Sequence, residues 1–233
     1  MTAADGESAV LTEPAATNTP RTSWIGRWAG LGGVLYVILF VVGILLVSSG
    51  QPDGDASPAK VAAYYGKSSH RDRIHLGTFL IVIGVFFLIW FVGTLRQVVR
   101  SYAGDGLLTT VTTIGGASYA ALTLAAFALN DAVKTMSDDT YRHQVFPELI
   151  HLADDASYVL HSFGGVAVCA MMVAVSLAVL QARALPAWLC WLSVVAGISG
   201  IVSFVFIPWI VIGVWLIVAG ILVTRVQARA AAS

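Results

Sequence analysis

The chain has 233 residues, 58% of them hydrophobic and only 11% charged, and its mean hydropathy is +0.82. Soluble domains carry about 25% charged residues, so water cannot be the solvent for most of this surface, and the composition specifies an all-α, polytopic helix bundle in a bilayer. Its 13 basic and 13 acidic side chains cancel, which leaves no basic footprint for nucleic acid.

Residues 1–23, MTAADGESAVLTEPAATNTPRTS, are polar and rich in Ala, Thr and Pro. They lack the basic start and apolar core of a signal peptide and read as a disordered cytoplasmic tail. A single transmembrane domain is expected over 24–226, followed by a short cytoplasmic tail at 227–233. A spanning helix needs roughly 20 mostly apolar residues. Segments 28–48, 74–95, 107–129 and 156–180 meet that need. The apolar block 187–224 would be about 57 Å long as one helix, nearly twice the bilayer core. It reads instead as two spans, 187–206 and 208–224, with Pro208 opening the second, where its missing N–H does no harm. The expected count is therefore six spans.

Orientation follows from Lys and Arg in short loops. Arg21, Arg27, Arg96, Arg100, Arg183, Arg225 and Arg229 fall on one side; Lys60, Lys67, Arg71, Arg73, Lys134 and Arg142 fall on the other. That small excess places both termini in the cytoplasm of a cell-membrane protein. Between the first two spans, Ser57-Pro58 is an N-cap with proline at the first helical position, so AKVAAYYGK should continue as a helix outside the bilayer. Tyr64, Tyr65, Trp24, Trp28, Trp188, Trp191 and Trp209 sit near span ends, as interfacial anchors do.

Some motifs carry no chemistry. Gly26-x-x-x-Gly30 and Ser193-x-x-x-Gly197 let helix backbones approach closely. Gly197-Ile-Ser-Gly200 matches the GxSG of rhomboid proteases, but no His follows Ser199 to act as its base. Cys169 and Cys190 lie in apolar segments and read as packing residues.

One stretch does not fit a plain lipid-facing helix: HLADDASYVLHSFGG, residues 151–165. At 100° per residue, His151, Asp155, Tyr158 and Ser162 share one side, with Asp154 and His161 on its shoulder. Tyr119, Thr123, Asn130 and Asp131 form a second polar stripe, and Arg71, His75 and Thr78 begin a third. In the six-span arrangement all three open toward one side, together with all 5 histidines. Polar side chains avoid lipid, so the stripes should enclose an outward-facing polar vestibule.

Three uses of that vestibule stay open. The first is an ion-pair latch in which Arg71 and Arg73 neutralise Asp154 and Asp155. Also non-catalytic, and the leading functional reading, is a vestibule in which Tyr119, Thr123, Tyr158, Ser162 and His75 contact a small or lipidic ligand, or a partner helix. The second is acid chemistry on a lipid-like substrate, of the isoprenoid cyclase type. It would use Asp131, Asp154 or Asp155 as an acid kept protonated at the edge of an apolar cavity. The third is a metal centre built on His151 and Asp155, one turn apart, and completed by His161 or His75. The spacing selects no particular metal, haem or other cofactor.

Three phrases occur in order: RWAGLGGVLYVILFVVGILL, ASPAKVAAYYGKSSHRDRI and ALPAWLCWLSVVAGI. With their loop lengths they resemble a large group of uncharacterised multi-pass membrane proteins, abundant in actinobacteria and carried under a domain-of-unknown-function label. The resemblance runs from about Trp24 to Arg225. It implies a compact bundle of about six spans and assigns no residue a role.

Overall fold

A computed structural model describes residues 30–135, 145–199 and 206–230. Among these the chain forms seven helices: α1 (Gly32–Ser48), α2 (Pro58–Tyr65), α3 (Ser68–Ala103), α4 (Leu107–Thr135), α5 (Pro147–Gln181), α6 (Ala187–Ser199) and α7 (Phe206–Ala230). Residues 1–29, residues 136–144 with Arg142 and His143, residues 200–205 and residues 231–233 lie outside the described residues.

Four helices are long and apolar enough to cross a membrane: α3, α4, α5 and the stretch Pro208–Arg225 of α7. The expected count of six is therefore not reached among the described residues. The 17 residues of α1 and the 13 of α6 are apolar but short. At 1.5 Å per residue they reach only about 26 Å and 20 Å, against a hydrocarbon core of ~30 Å. The division of the apolar block into two helices does hold. Pro208 is the third residue of α7, inside the first turn, where backbone N–H groups have no partner within the helix.

α1 packs along α3 and α4 along α5; α3 and α4 join the two pairs, α6 lies on α5, and α7 closes against α1 and α6. Small residues set the closest approaches. A Cβ on Gly43 would stand 2.6 Å from the Gly77 carbonyl oxygen, and a Cβ on Gly115 would stand 2.6 Å from that of Ala167. Only glycine permits these α1–α3 and α4–α5 crossings. The expected small-residue contact at Gly197 is also present, against Met172 and Val173 of α5.

The main core gathers Tyr36, Leu88, Phe91, Leu95, Met171, Met172, Ile212 and Leu216. A second, smaller cluster of Val61, Tyr65, Ile74 and Ile150 lies under α2. Leu45, Phe79, Phe163 and Val195 are exposed on the outside, an apolar surface that suits lipid.

α2 begins as its sequence indicates. The Ser57 hydroxyl accepts from the Lys60 N–H at 3.4 Å, and Pro58 occupies the first turn. Its C-terminal carbonyls are claimed by side chains of α3. Arg71 donates to Tyr65 O at 2.9 Å, and His70 Nδ1 lies 2.8 Å from Tyr64 O. Arg73 donates to Ser49 O and to the Tyr64 hydroxyl, which itself donates to Ser49 O at 2.9 Å. Tyr65 is buried and Tyr64 half-buried, and both help fasten α2 to the bundle. Trp188 and Trp191 are exposed, as interfacial anchors would be, whereas Trp209 is half-buried and packs inward.

Candidate functional site: a polar cap over an aromatic core

The antiparallel path brings the end of α1, all of α2, the starts of α3 and α5 and the end of α4 to one end of the bundle. There the carboxylate of Asp154 meets the ammonium of Lys134 at 2.7 Å, with Lys134 only 1% exposed and Asp154 39% exposed. Asn130 Nδ2 donates to the same carboxylate oxygen at 2.7 Å and to Ser157 Oγ at 3.1 Å. Ser157 in turn donates to Asp154 O at 3.0 Å. The Tyr65 ring lies 5.7 Å from Lys134 Nζ, within cation–π reach. Burial, and next the negative charge of Asp154, push the Tyr65 phenol well above its ordinary range, so it stays a neutral donor at any physiological pH.

The latch thus exists, but its cation is Lys134. Arg71 and Arg73 do not neutralise Asp154 and Asp155, because the carbonyls at the end of α2 and at Ser49 take their N–H groups first. Helix C-terminal carbonyls lack partners and carry partial negative charge, so a nearby guanidinium is drawn to them. Lys134 was legible only as a loop cation. It lies one turn beyond Asn130 on the stripe that carries Thr123 and Asn130, and that spacing was the available signal.

Beside the latch is a polar pocket of about 330 Å³. Gln51, Tyr65, His151, Asp154 and Asp155 form its polar lining, with Val61 and Ile150 beneath. Asp155 is exposed and has no ion-pair partner among the described residues. At the edge of the cap, His75 Nδ1 lies 3.0 Å from Asp131 Oδ2, so these two predicted site residues pair with each other.

The remaining predicted residues separate. Tyr158 is 48% exposed on the outer surface, while Ser162 is buried within the bundle. His161 lies ten residues beyond His151, about 15 Å along the helix. It is stacked between Trp209 at 4.1 Å and Phe40 at 5.4 Å, with Phe127 edge-on. The proposed metal set of His151, Asp155 and His161 is therefore not assembled, and no group of three His, Cys, Asp or Glu placed to hold a metal occurs among the described residues.

Tyr119 and Thr123 do come together, not as the floor of the cap pocket but around His161. The Tyr119 and Tyr36 hydroxyls are 2.6 Å apart. Thr123 Oγ1 is 3.4 Å from His161 Nδ1. Tyr36 and Phe40 of α1 lie within a hydrophobic run where nothing local marks them, and Trp209 of α7 reads from the sequence as an interfacial anchor. Tyr36 and Tyr119 also wall an apolar cleft between α1 and α7.

Comparison with family models, with curated proteins and with solved structures yields no match to the chain. The fold and the cap thus define the protein as an all-helical chain with four potential membrane spans and a polar cap at one end.

Proposed function

We propose that the chain is a multi-pass protein of the cell membrane, in which α1 and α6 join the four long helices as a six-helix bundle. Both termini are cytoplasmic and the polar cap faces outward. In this reading the cap pocket holds the polar part of a small or lipidic ligand, without catalysis. The resemblance to uncharacterised actinobacterial membrane proteins belongs to the same reading and brings no activity with it.

The observation that carries it is the pocket of about 330 Å³ whose carboxylate wall is fixed from behind. Asp154 is held by Lys134 and Asn130, which leaves Asp155 and His151 to meet a ligand. The lining is mostly polar, which suits the polar part of a ligand and leaves any apolar part outside the pocket. The position of the carboxyls speaks against an acid catalyst. Asp154 is paired with Lys134 and Asp131 with His75, and neither these nor Asp155 borders the apolar cleft, where desolvation would keep an acid protonated.

The test is mass spectrometry of molecules that co-purify in mild detergent, comparing wild type with Asp155→Asn/His151→Ala. The reading expects a species at near-stoichiometric level that is lost from the variant. The same species at the same level in both proteins would remove the cap pocket from consideration.

A further inference from the structure

Charge is unevenly distributed around the cap pocket. Its lining includes Asp154 and Asp155 but neither Lys nor Arg. The bases packed behind it are already committed. Lys134 pairs with Asp154 at 2.7 Å, while Arg71 and Arg73 donate to Tyr65 O and Ser49 O. His151 stands one turn before Asp155, and no ion pair joins them. The loop that supplies Pro52 and Gly54 adds Asp53 and Asp55, against Lys60 as the single base of α2. Both of these carboxylates are exposed and in no ion pair among the described residues. The mouth is therefore negative, which draws cations and repels anions.

Hydrogen-bonding capacity points the same way. Asp155 offers both carboxylate oxygens. Asp154 receives Lys134 and Asn130 on Oδ1, which leaves Oδ2. Gln51 spends one Nε2 proton on Val47 O at 2.6 Å, and that bond fixes its amide with Oε1 left to accept. Against these acceptors the side-chain donors are the second Gln51 Nε2 proton, the Tyr65 hydroxyl and the His151 ring. Counted by lone pairs, acceptors exceed donors about twofold. Size and composition narrow the cation further. About 330 Å³ is far more than a bare ion fills, and it lies at the small end of the ~300–1,000 Å³ of organic-ligand sites. A quaternary ammonium has no N–H for these acceptors and favours a cage of aromatic rings, whereas Tyr65 is the single Phe, Tyr or Trp on the lining.

We propose that the cap pocket selects a protonated primary amine, whose three N–H groups are taken by Asp155, Asp154 Oδ2 and Gln51 Oε1. Asp155 supplies the countercharge, and Lys134 keeps Asp154 in place without filling the pocket. This inference rests on the reading of the cap as a binding site and names the class of its ligand. The ammonium belongs either to a soluble amine or to an ethanolamine lipid headgroup.

The experiment is equilibrium binding of two labelled probes, putrescine and dihexanoyl phosphatidylethanolamine, to the full chain in phosphatidylcholine nanodiscs. Saturable binding of at least one is expected. Tighter binding of putrescine assigns the site to a soluble amine, and tighter binding of the lipid assigns it to a headgroup. The counterparts without N–H on a cation, 1,4-butanediol and dihexanoyl phosphatidylcholine, should compete about tenfold less well or worse. Asp155→Asn should weaken binding about tenfold or more, the usual worth of a hydrogen bond to a charged group. Asp155→Glu, which keeps the charge, should stay within about threefold of wild type. Both variants should melt as wild type does, because Asp155 is exposed and unpaired. Binding of neither probe, equal competition by the diol or the choline lipid, or undiminished binding by Asp155→Asn would each overturn the assignment. If a co-purifying species is nevertheless lost from Asp155→Asn/His151→Ala, the cap remains a binding site and only the amine is wrong; if no such species exists either, both readings fall.

Discussion

Removing one partner from the Lys134–Asp154 pair should cost very different amounts depending on which partner goes. The ammonium is 1% exposed and the carboxylate 39% exposed. Stripping one member from a buried ion pair costs about 3–5 kcal/mol, because the survivor is left charged and dry. Asp154→Asn leaves Lys134 in that state, softened by the Tyr65 ring, so the low end applies, about 3 kcal/mol. Lys134→Met instead leaves a carboxylate that water already reaches and that Asn130 still contacts, at about 1 kcal/mol. At about 2–4 °C per kcal/mol for a chain of this size, Asp154→Asn should lower Tm by about 6–12 °C and Lys134→Met by a few degrees. The double variant Lys134→Met/Asp154→Asn should melt above Asp154→Asn, since no unpaired charge remains. Thermal unfolding in detergent, run as a double-mutant cycle, reads this directly. Equal losses from the two single variants would refute the burial asymmetry, and rescue of Asp154→Asn by Arg71→Met but not by Lys134→Met would restore the arginine latch.

Other consequences can be checked with the same preparation. Arg71→Ala should leave the carbonyls at the end of α2 without a donor, and hydrogen exchange over residues 58–66 should accelerate without energetic coupling to Asp154. Gly77→Val should destabilise by about 3 kcal/mol or more, because its Cβ would stand 2.7 Å from the Gly43 carbonyl oxygen; normal melting would mean that α1 and α3 are not in contact there. Tyr119→Phe should cost about 1 kcal/mol in thermal unfolding, the net value of the hydrogen bond it shares with the Tyr36 hydroxyl; unchanged melting would mean that the two phenols do not meet. In intact cells, Gly54→Cys should react with an impermeant maleimide and Gly106→Cys should not; the reverse pattern would invert the proposed topology.

The helices were legible in the sequence because apolar run length and cap chemistry are local. Ser57-Pro58 starts α2, and Pro208 divides the last apolar block, both as their backbone chemistry requires. Which polar residues share one end of the bundle was also legible, since alternating helix direction decides it. Partner choice was not. Nothing in the order of residues says that Arg71 would reach back to Tyr65 O, and that single contact reassigns the carboxylate of Asp154 to Lys134. Helical periodicity placed His151, Asp155, Tyr158 and Ser162 on one side of α5. Over eleven residues, however, that side passes from the cap pocket across the outer surface into the core. The core cluster was hidden for another reason: Tyr36, Phe40 and Trp209 come from helices far apart in sequence and read singly as ordinary apolar or interfacial residues. Length misled in one respect. α1 and α6 have the composition of spans but fewer residues than the bilayer core requires.

Ligand binding in the cap is tested most directly by electron cryo-microscopy of the protein in native lipid, with an antibody fragment for size. Non-protein density is expected in the pocket bounded by Gln51, His151 and Asp155, with a polar group within about 3 Å of the Asp155 carboxylate. A well-resolved pocket holding only water, in a preparation that keeps its native lipids, would contradict a ligand-binding role for the cap and leave the Lys134–Asp154 pair as a structural latch.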